Sequence, residues 1–310
     1  MNDKIDNFTA HRRRLMAIAY RMLGTRADAE DVLQDAWLRW QDTDTSDLRS
    51  AEAWLVTITT RLCIDRLRAL RPERERYTGP WLPEPTVGSS DFKPVSPDPT
   101  PEHMVELASD VSMAFLAVLE RLSPDERAAF LLREVFDFDY DEVAAMLERP
   151  EATCRQLVHR ARTRVRDERP RITVNRDAHH KLLDRFMDAT RSGDRAKLQA
   201  LFAADAQFVS DGGGKILSVL KELHGAERIV RFFETVARRF GEHFSYQHAL
   251  INGEPGLLRY LDGKLDAVFT LITDGEKVLA CYCLRNPDKL ANVPAEYLDE
   301  NICMGLSQKH

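Results

Sequence analysis

Arg155, Gln156, His159, Arg160, Arg162 and Arg166, with Thr153 just ahead of them, are residue types that can hold nucleic acid. Guanidinium groups pair with phosphate oxygens and guanine edges, and glutamine and histidine hydrogen-bond base edges. Cys154, Leu157, Val158, Ala161 and Val165 recur between them at helical spacing, so one helix presents the polar set on its outer side. Two preceding helices must position it. Ser123-Pro124-Asp125-Glu126 is a capping box with proline at the first helical position, and Ala128, Leu131, Leu132 and Val135 give that helix an apolar face. Asp139, with Glu142 three residues on, caps the next, whose core face is Tyr140, Val143, Ala144 and Leu147. Arg149-Pro150-Glu151 breaks the chain and starts the basic helix, because proline fits only a first turn. Helix, tight turn and basic helix is the plan of a DNA-reading helix-turn-helix; the alternative is a solvated helix in an ordinary bundle.

The chain has 310 residues, 44% of them hydrophobic, enough for two or three modest domains. No run is long and apolar enough to span a membrane, and Arg12, Arg13 and Arg14 lack the following apolar region of a signal peptide, so a cytoplasmic protein is expected. Five scattered cysteines do not make a disulfide framework. The net charge of −6 argues alone against nucleic acid, but arginines crowd 61–76 and 149–176 while Asp28, Glu30, Asp31 and Asp35 form an acidic group. Segregated charge implies different faces for different partners.

Residues 1–76 read as an all-helical domain. Leu15, Ile18, Ala19 and Met22 mark one helix, ending near Gly24. Thr25 with Asp28 caps a second, where Ala29, Val32, Leu33, Ala36, Trp37 and Trp40 oppose Glu30, Asp31, Gln34 and Asp35. After a polar loop, 42–50, a third runs from about Ala51 to Leu70 with a basic far end.

The string Ala29-Glu30-Asp31-Val32-Leu33-Gln34-Asp35-Ala36-Trp37-Leu38 resembles the polymerase-binding helix of bacterial sigma factors. Ala53-Trp54-Leu55 and Cys63-Ile64-Asp65-Arg66-Leu67-Arg68 resemble their promoter −10 helix, and the helix-turn-helix, at 106–172, their −35 domain. Order and spacing are similar to the extracytoplasmic-function group. The resemblance implies that Asp31, Gln34 and Asp35 meet the β′ clamp helices of core RNA polymerase, with the β flap a further contact. It also implies that Trp54, Thr57, Arg61, Asp65, Arg66 and Arg68 meet the −10 element, and that the 42–50 loop holds a flipped base. One departure is Arg61, where many members carry asparagine.

Residues 77–105 read as a linker stiffened by Pro80, Pro83, Pro85, Pro94, Pro97, Pro99 and Pro101. Within it Trp81-Leu82-Pro83-Glu84-Pro85 carries an indole unsuited to water, which either packs locally or docks on another domain. From 176 to 310 the pattern is α+β. Helices come first, at 179–192, around Leu198, Leu201 and Phe202, and at 226–240; a meander of strands follows, with a hairpin turn at Asp274-Gly275. This resembles the cone-shaped SnoaL-like (NTF2-like) fold. Asp211-Gly212-Gly213-Gly214-Lys215 and Asn286-Pro287-Asp288-Lys289-Leu290 resemble, with Trp81-Leu82-Pro83, the signature strings of sigma factors carrying a fused SnoaL-like extension.

The glycine string is not a P-loop, since no serine or threonine follows the lysine. His224, His243, His248 and Asp266 are candidate acid–base groups that nothing in the sequence pairs, and Cys281 and Cys283 share one strand face without further metal ligands. The expectation is a multi-domain chain: two all-α sigma domains and an α+β cone. It would act as a non-enzymatic initiation factor, without cofactor or metal, whose extension docks on the linker and controls promoter use in cis. The rival reading is a SnoaL-type enzyme or small-ligand sensor, with an unidentified ligand in the cone, fused to a DNA-binding module.

Overall fold

The computed structural model describes residues 2–46, 48, 50–88, 112–168 and 174–298. Residues 89–111, with Pro94, Pro97, Pro99 and Pro101, lie outside the described residues, as do Asp47 and Arg49 of the polar loop, 169–173 and 299–310. The chain forms two compact units: one built on Met1–Arg76 and Phe115–Pro170, the other on Tyr77–Ser89 and Arg171–His310.

The first unit is helical. α1 (Asn2–Leu23), α2 (Arg26–Asp42) and α3 (Ala51–Glu75) pack on one another; Thr25 and Ser50 cap α2 and α3 by accepting backbone N–H groups of Asp28 and Ala53. α3 runs one turn past the expected Leu70 and contains Pro72. A proline so near the end forfeits few helical bonds, and Arg74 anchors that turn by donating to Leu23 O at 2.7 Å. α4 (Met113–Leu119), α5 (Pro124–Phe130), α6 (Tyr140–Leu147) and α7 (Glu151–Glu168) follow. Capping boxes form at Ser123/Glu126 and Asp139/Glu142. The α-helical spacing expected through Val135 gives way to a π turn at Leu131–Val135, the wider turn coinciding with burial of both Leu131 and Leu132. One hydrophobic core joins α1–α3 to α5–α7, with Trp40, Tyr20 and Met22 sealed inside. Arg127, 2% exposed, crosses it to donate to Met22 O and pair with Glu120, both at 2.6 Å.

In the second unit α8 (Arg176–Ser192) and α9 (Arg195–Leu201) precede β1 (Phe202–Asp211), β2 (Leu223–His224) and α10 (Ala226–Phe240); β3 (Phe244–Ile251), β4 (Glu254–Leu261), β5 (Lys264–Thr273) and β6 (Val278–Leu284) complete the sheet. Its order is β2-β1-β6-β5-β4-β3, with β1 parallel to β6 and the other pairs antiparallel. A simple meander is therefore corrected: Phe202 opens a strand rather than closing a helix, and that strand inserts beside the last one. Left-handed Asn252-Gly253 and Asp262-Gly263 turn the two hairpins between β3 and β5. The helix-facing side of the sheet is an aromatic core in which the Phe186 ring lies 5.3 to 6.4 Å from those of Phe269, Phe233 and Phe202.

Candidate nucleic-acid interfaces and the linker clasp

α7 buries Cys154, Leu157, Val158 and Ala161, half-buries Thr153 and Val165, and exposes Arg155, Gln156, His159, Arg160, Arg162 and Arg166. Several of these arginines are paired with carboxylates: Arg155 with Glu151 at 2.5 Å, Arg160 with Glu126 at 3.0 Å and Arg162 with Glu134 at 2.7 Å. The exposed pair of Arg155 with Glu151 is of the weak surface kind, whereas Glu126 is largely buried within its capping box.

On α2, Asp31, Gln34 and Asp35 are exposed opposite the buried stripe, and with Leu62, Asp65, Arg66 and Ala69 they line a groove of about 490 Å³. Arg66 is turned back onto Asp28 at 2.7 Å. Trp54, Thr57, Arg61, Asp65 and Arg68 follow one another at three- and four-residue steps, so they share a face of α3. Leu48, Ser50, Trp54, Thr57 and Arg61 border a second groove of about 420 Å³.

The linker strings come together within the second unit. Asp211, at the end of β1, is fully buried. Its Oδ1 accepts from Tyr77 Oη at 2.6 Å and Gly213 N at 3.0 Å; its Oδ2 accepts from Leu82 N at 2.9 Å and Lys289 Nζ at 2.8 Å. Four donors saturate the carboxylate. Lys289 Nζ also donates to Leu82 O at 2.5 Å and lies 3.8 Å from the Trp81 ring centroid. Asn286 donates to Tyr77 Oη at 2.7 Å, and Lys215 pairs with Asp288 at 2.6 Å. Burial, then the bond to Asp211, pushes the Tyr77 phenol up, so it stays a donor. The glycines are required: Gly213 has φ +64°, and a Cβ there would lie 2.5 Å from the Asn286 amide. Beyond the clasp, Val87 bridges Ile251, and Asn252 donates to Thr86 O at 2.8 Å. Residues 82–87 thus run from β1 to β3. At about 3.1 Å per residue they cover about 16 Å, close to the roughly 19 Å of four strand spacings. Trp81, Leu82, Pro83, Asp211 to Lys215 and Asn286 to Lys289 were marked by the sequence; Tyr77, Thr86, Val87 and Asn252 were not, because a tyrosine or an edge-pairing valine in a linker carries no local signal.

Three family models match in order: sigma-70 region 2 over residues 8–73, sigma-70 region 4 over 112–165, and the SnoaL-like domain over 183–281. The ECF RNA polymerase sigma factor SigJ of Mycobacterium tuberculosis is 39% identical over 302 residues, covering 94% of this chain and 94% of its own. The chain belongs to the ECF RNA polymerase sigma factors. Probable sigma factor SigI of the same species is 29% identical over 93% of this chain and 94% of its own. The crystal structure of SigJ aligns with a TM-score of 0.71 at 35% identity, covering 94% of this chain and 99% of that one. As a sigma factor the protein binds core RNA polymerase and directs promoter recognition and transcription initiation.

In this sigma factor the cone's titratable residues are dispersed. His243 pairs with Asp262 at 2.8 Å, His248 with Asp184 at 2.8 Å, and His224 with Glu222 at 3.5 Å. Asp266 stands where β4 and β5 slip register, and binds Arg259 and Arg285, each at 2.5 Å. Burial raises the Asp266 carboxyl, but the two guanidiniums outweigh it and hold it below the usual range. Arg259 is wedged against Phe244 and Phe269, 4.2 and 5.1 Å from their centroids. Cys281 and Cys283 are buried thiols, raised first by burial. Among the described residues no His, Cys, Asp and Glu group is arranged to hold a metal, and no helix is long and apolar enough to cross a membrane.

Proposed function

We propose that the SnoaL-like extension of this sigma factor regulates it in cis by gripping the linker between its two promoter-reading domains. The observation that carries this reading is the Asp211–Lys289 pair closed around Leu82. A buried charge pair with every lone pair satisfied is lost abruptly when one partner goes, which suits a two-state hold on the linker. In this reading Arg155, Gln156, His159 and Arg160 read the −35 major groove with Thr153 beside them, Arg162 and Arg166 hold phosphates, and Trp54, Thr57, Arg61, Asp65, Arg66 and Arg68 on α3 meet the −10 strand. Asp31, Gln34 and Asp35 bind the β′ clamp helices, and the helix-turn-helix domain binds the β flap. The protein works in the cytoplasm, beside the polymerase, and the extension acts as a regulator rather than an enzyme. The dispersed histidines, and an Asp266 carboxylate already paired with Arg259 and Arg285, support that last point. Run-off transcription with core polymerase tests the reading. Trp81→Ala and Asp211→Asn are expected to change transcript yield while duplex binding by α7 stays within twofold; unchanged yield in both variants would refute cis control.

A further inference from the structure

The face of α3 that carries Trp54, Thr57, Arg61, Asp65 and Arg68 is only half open. Its first part borders the 420 Å³ groove. Further on, Arg61 and Arg68 reach the helix-turn-helix domain of the same unit, while Asp65 between them lines the 490 Å³ groove. Arg61 donates from Nε to Met146 O at 2.9 Å and from Nη2 to Ala145 O at 3.2 Å, and pairs with Glu148 at 2.9 Å. Two turns on, about 10 Å along the helix, Arg68 reaches Asp125 at 3.2 Å.

The acceptors are helix-end carbonyls and surface carboxylates. Ala145 and Met146 belong to the last turn of α6, where the helix dipole is negative and carbonyls are short of partners, Ala145 O accepting a long 3.4 Å bond from Glu148 N at the helix end. Glu148 ends that helix in the left-handed region, φ +52°, and its carboxylate lies beside those carbonyls at Arg61. Asp125 sits in the first turn of α5 and also faces Arg149, at 3.6 Å. Arg61 and Arg68 therefore meet a row of anionic and dipolar oxygens, the chemistry a nucleic-acid strand offers through its phosphates.

We propose that the helix-turn-helix domain stands in for the single-stranded −10 DNA on α3, so that strand and domain compete for Arg61 and Arg68. This rests on the reading of α3 as the −10 helix. A strand entering at Trp54 and Thr57 meets Arg61 next and must displace the end of α6. By linkage, strand binding loosens the domain and loosening strengthens strand binding. The outer face of α7 stays exposed meanwhile, so duplex binding and strand binding separate: the closed unit takes duplex at α7 but takes single strand poorly.

The test uses the full chain, a fluorescein-labelled 15-nucleotide oligo-dT and a 20-base-pair duplex, in anisotropy titrations at fixed salt. The variant Asp125→Asn/Glu148→Gln removes two carboxylates, exposed or half-exposed, and leaves every arginine in place. It is expected to bind oligo-dT about three- to tenfold more tightly, with duplex affinity within twofold. Adding Arg61→Ala/Arg68→Ala to that variant is expected to abolish the gain. Equal oligo-dT binding by wild type and the carboxylate variant overturns the proposal. A gain that survives loss of both arginines also overturns it, and shows that the −10 reading of α3, rather than the domain's hold, has failed. A parallel gain for duplex overturns it as well, since charge removal alone would then account for both.

Discussion

The ammonium of Lys289 sits 3.8 Å from the centre of the Trp81 ring and 2.8 Å from Asp211, so one cation joins an indole of the linker to a carboxylate of the sheet. Lys289 is 7% exposed and Asp211 0%, so neither charge is relieved by water. Asp211→Ala is expected to destabilise the second unit by about 3–5 kcal/mol, because it strands a buried lysine. The double change Asp211→Asn/Lys289→Met removes both charges and should recover a large part of that loss. Urea unfolding of wild type, Asp211→Asn, Lys289→Met and the double variant measures the coupling.

The α7 arginines predict a division of labour. Arg155→Ala or Arg160→Ala should cost about 1–3 kcal/mol on the preferred −35 duplex and relax preference at one position. Arg162→Ala or Arg166→Ala should weaken all duplexes alike and flatten the salt dependence by about one unit. Fluorescence titrations across a salt series separate the two patterns, and uniform losses from all four would remove the base-reading assignment.

Asp31 and Asp35 are exposed and opposite the buried stripe of α2. Reversing both to arginine should abolish co-purification with core polymerase while moving the thermal midpoint by less than about 2 °C, since surface changes away from the core stay within about 0.5 kcal/mol. Retained core binding at moderate salt would leave this face merely solvated.

His179 gives the pH dependence. Its Nε2 is buried with no hydrogen-bond partner among the described residues, and burial, then nearby His180, lowers its pKa to about 4. An unfolded chain has a histidine near 6.5 and so binds more protons between these values, which makes stability rise with pH. The contribution is complete above about 6.5 and is lost as the pH falls toward 4, costing roughly 1–3 kcal/mol. His179→Leu should flatten that part of the profile; an unchanged slope in thermal melts from pH 7 to 4 would exclude His179 as its source.

Local chemistry made much of this architecture legible. The capping boxes at Ser123 and Asp139 depend on neighbours three residues apart, and the two faces of α7 on a single period. Trp81 and the glycines at 212–214 stood out because each is costly where nothing uses it. What stayed hidden depends on distant partners. The parallel pairing of β1 with β6 brings Phe208 beside Cys281, a choice no turn residue encodes. Arg61 reads as a nucleic-acid ligand in sequence, yet its oxygens here come from residues 145, 146 and 148. The π turn at Leu131 likewise interrupts a stretch whose residues keep ordinary α-helical spacing.

The contact between Leu82 and Asp211 spans 129 positions of the chain, and Lys289 closes it from 207 positions away. Loops of that length close late, and a chain made on the ribosome folds its early domains first. Both promoter-reading domains are therefore complete before Lys289 exists. A newborn molecule passes through a period in which its DNA-reading parts are whole and its linker is still ungripped. A message that ends early, anywhere between residues 169 and 286, would fix the protein in that state for life. On the cis-control reading proposed above, the hold on the linker therefore depends on the order of synthesis as well as on the final shape.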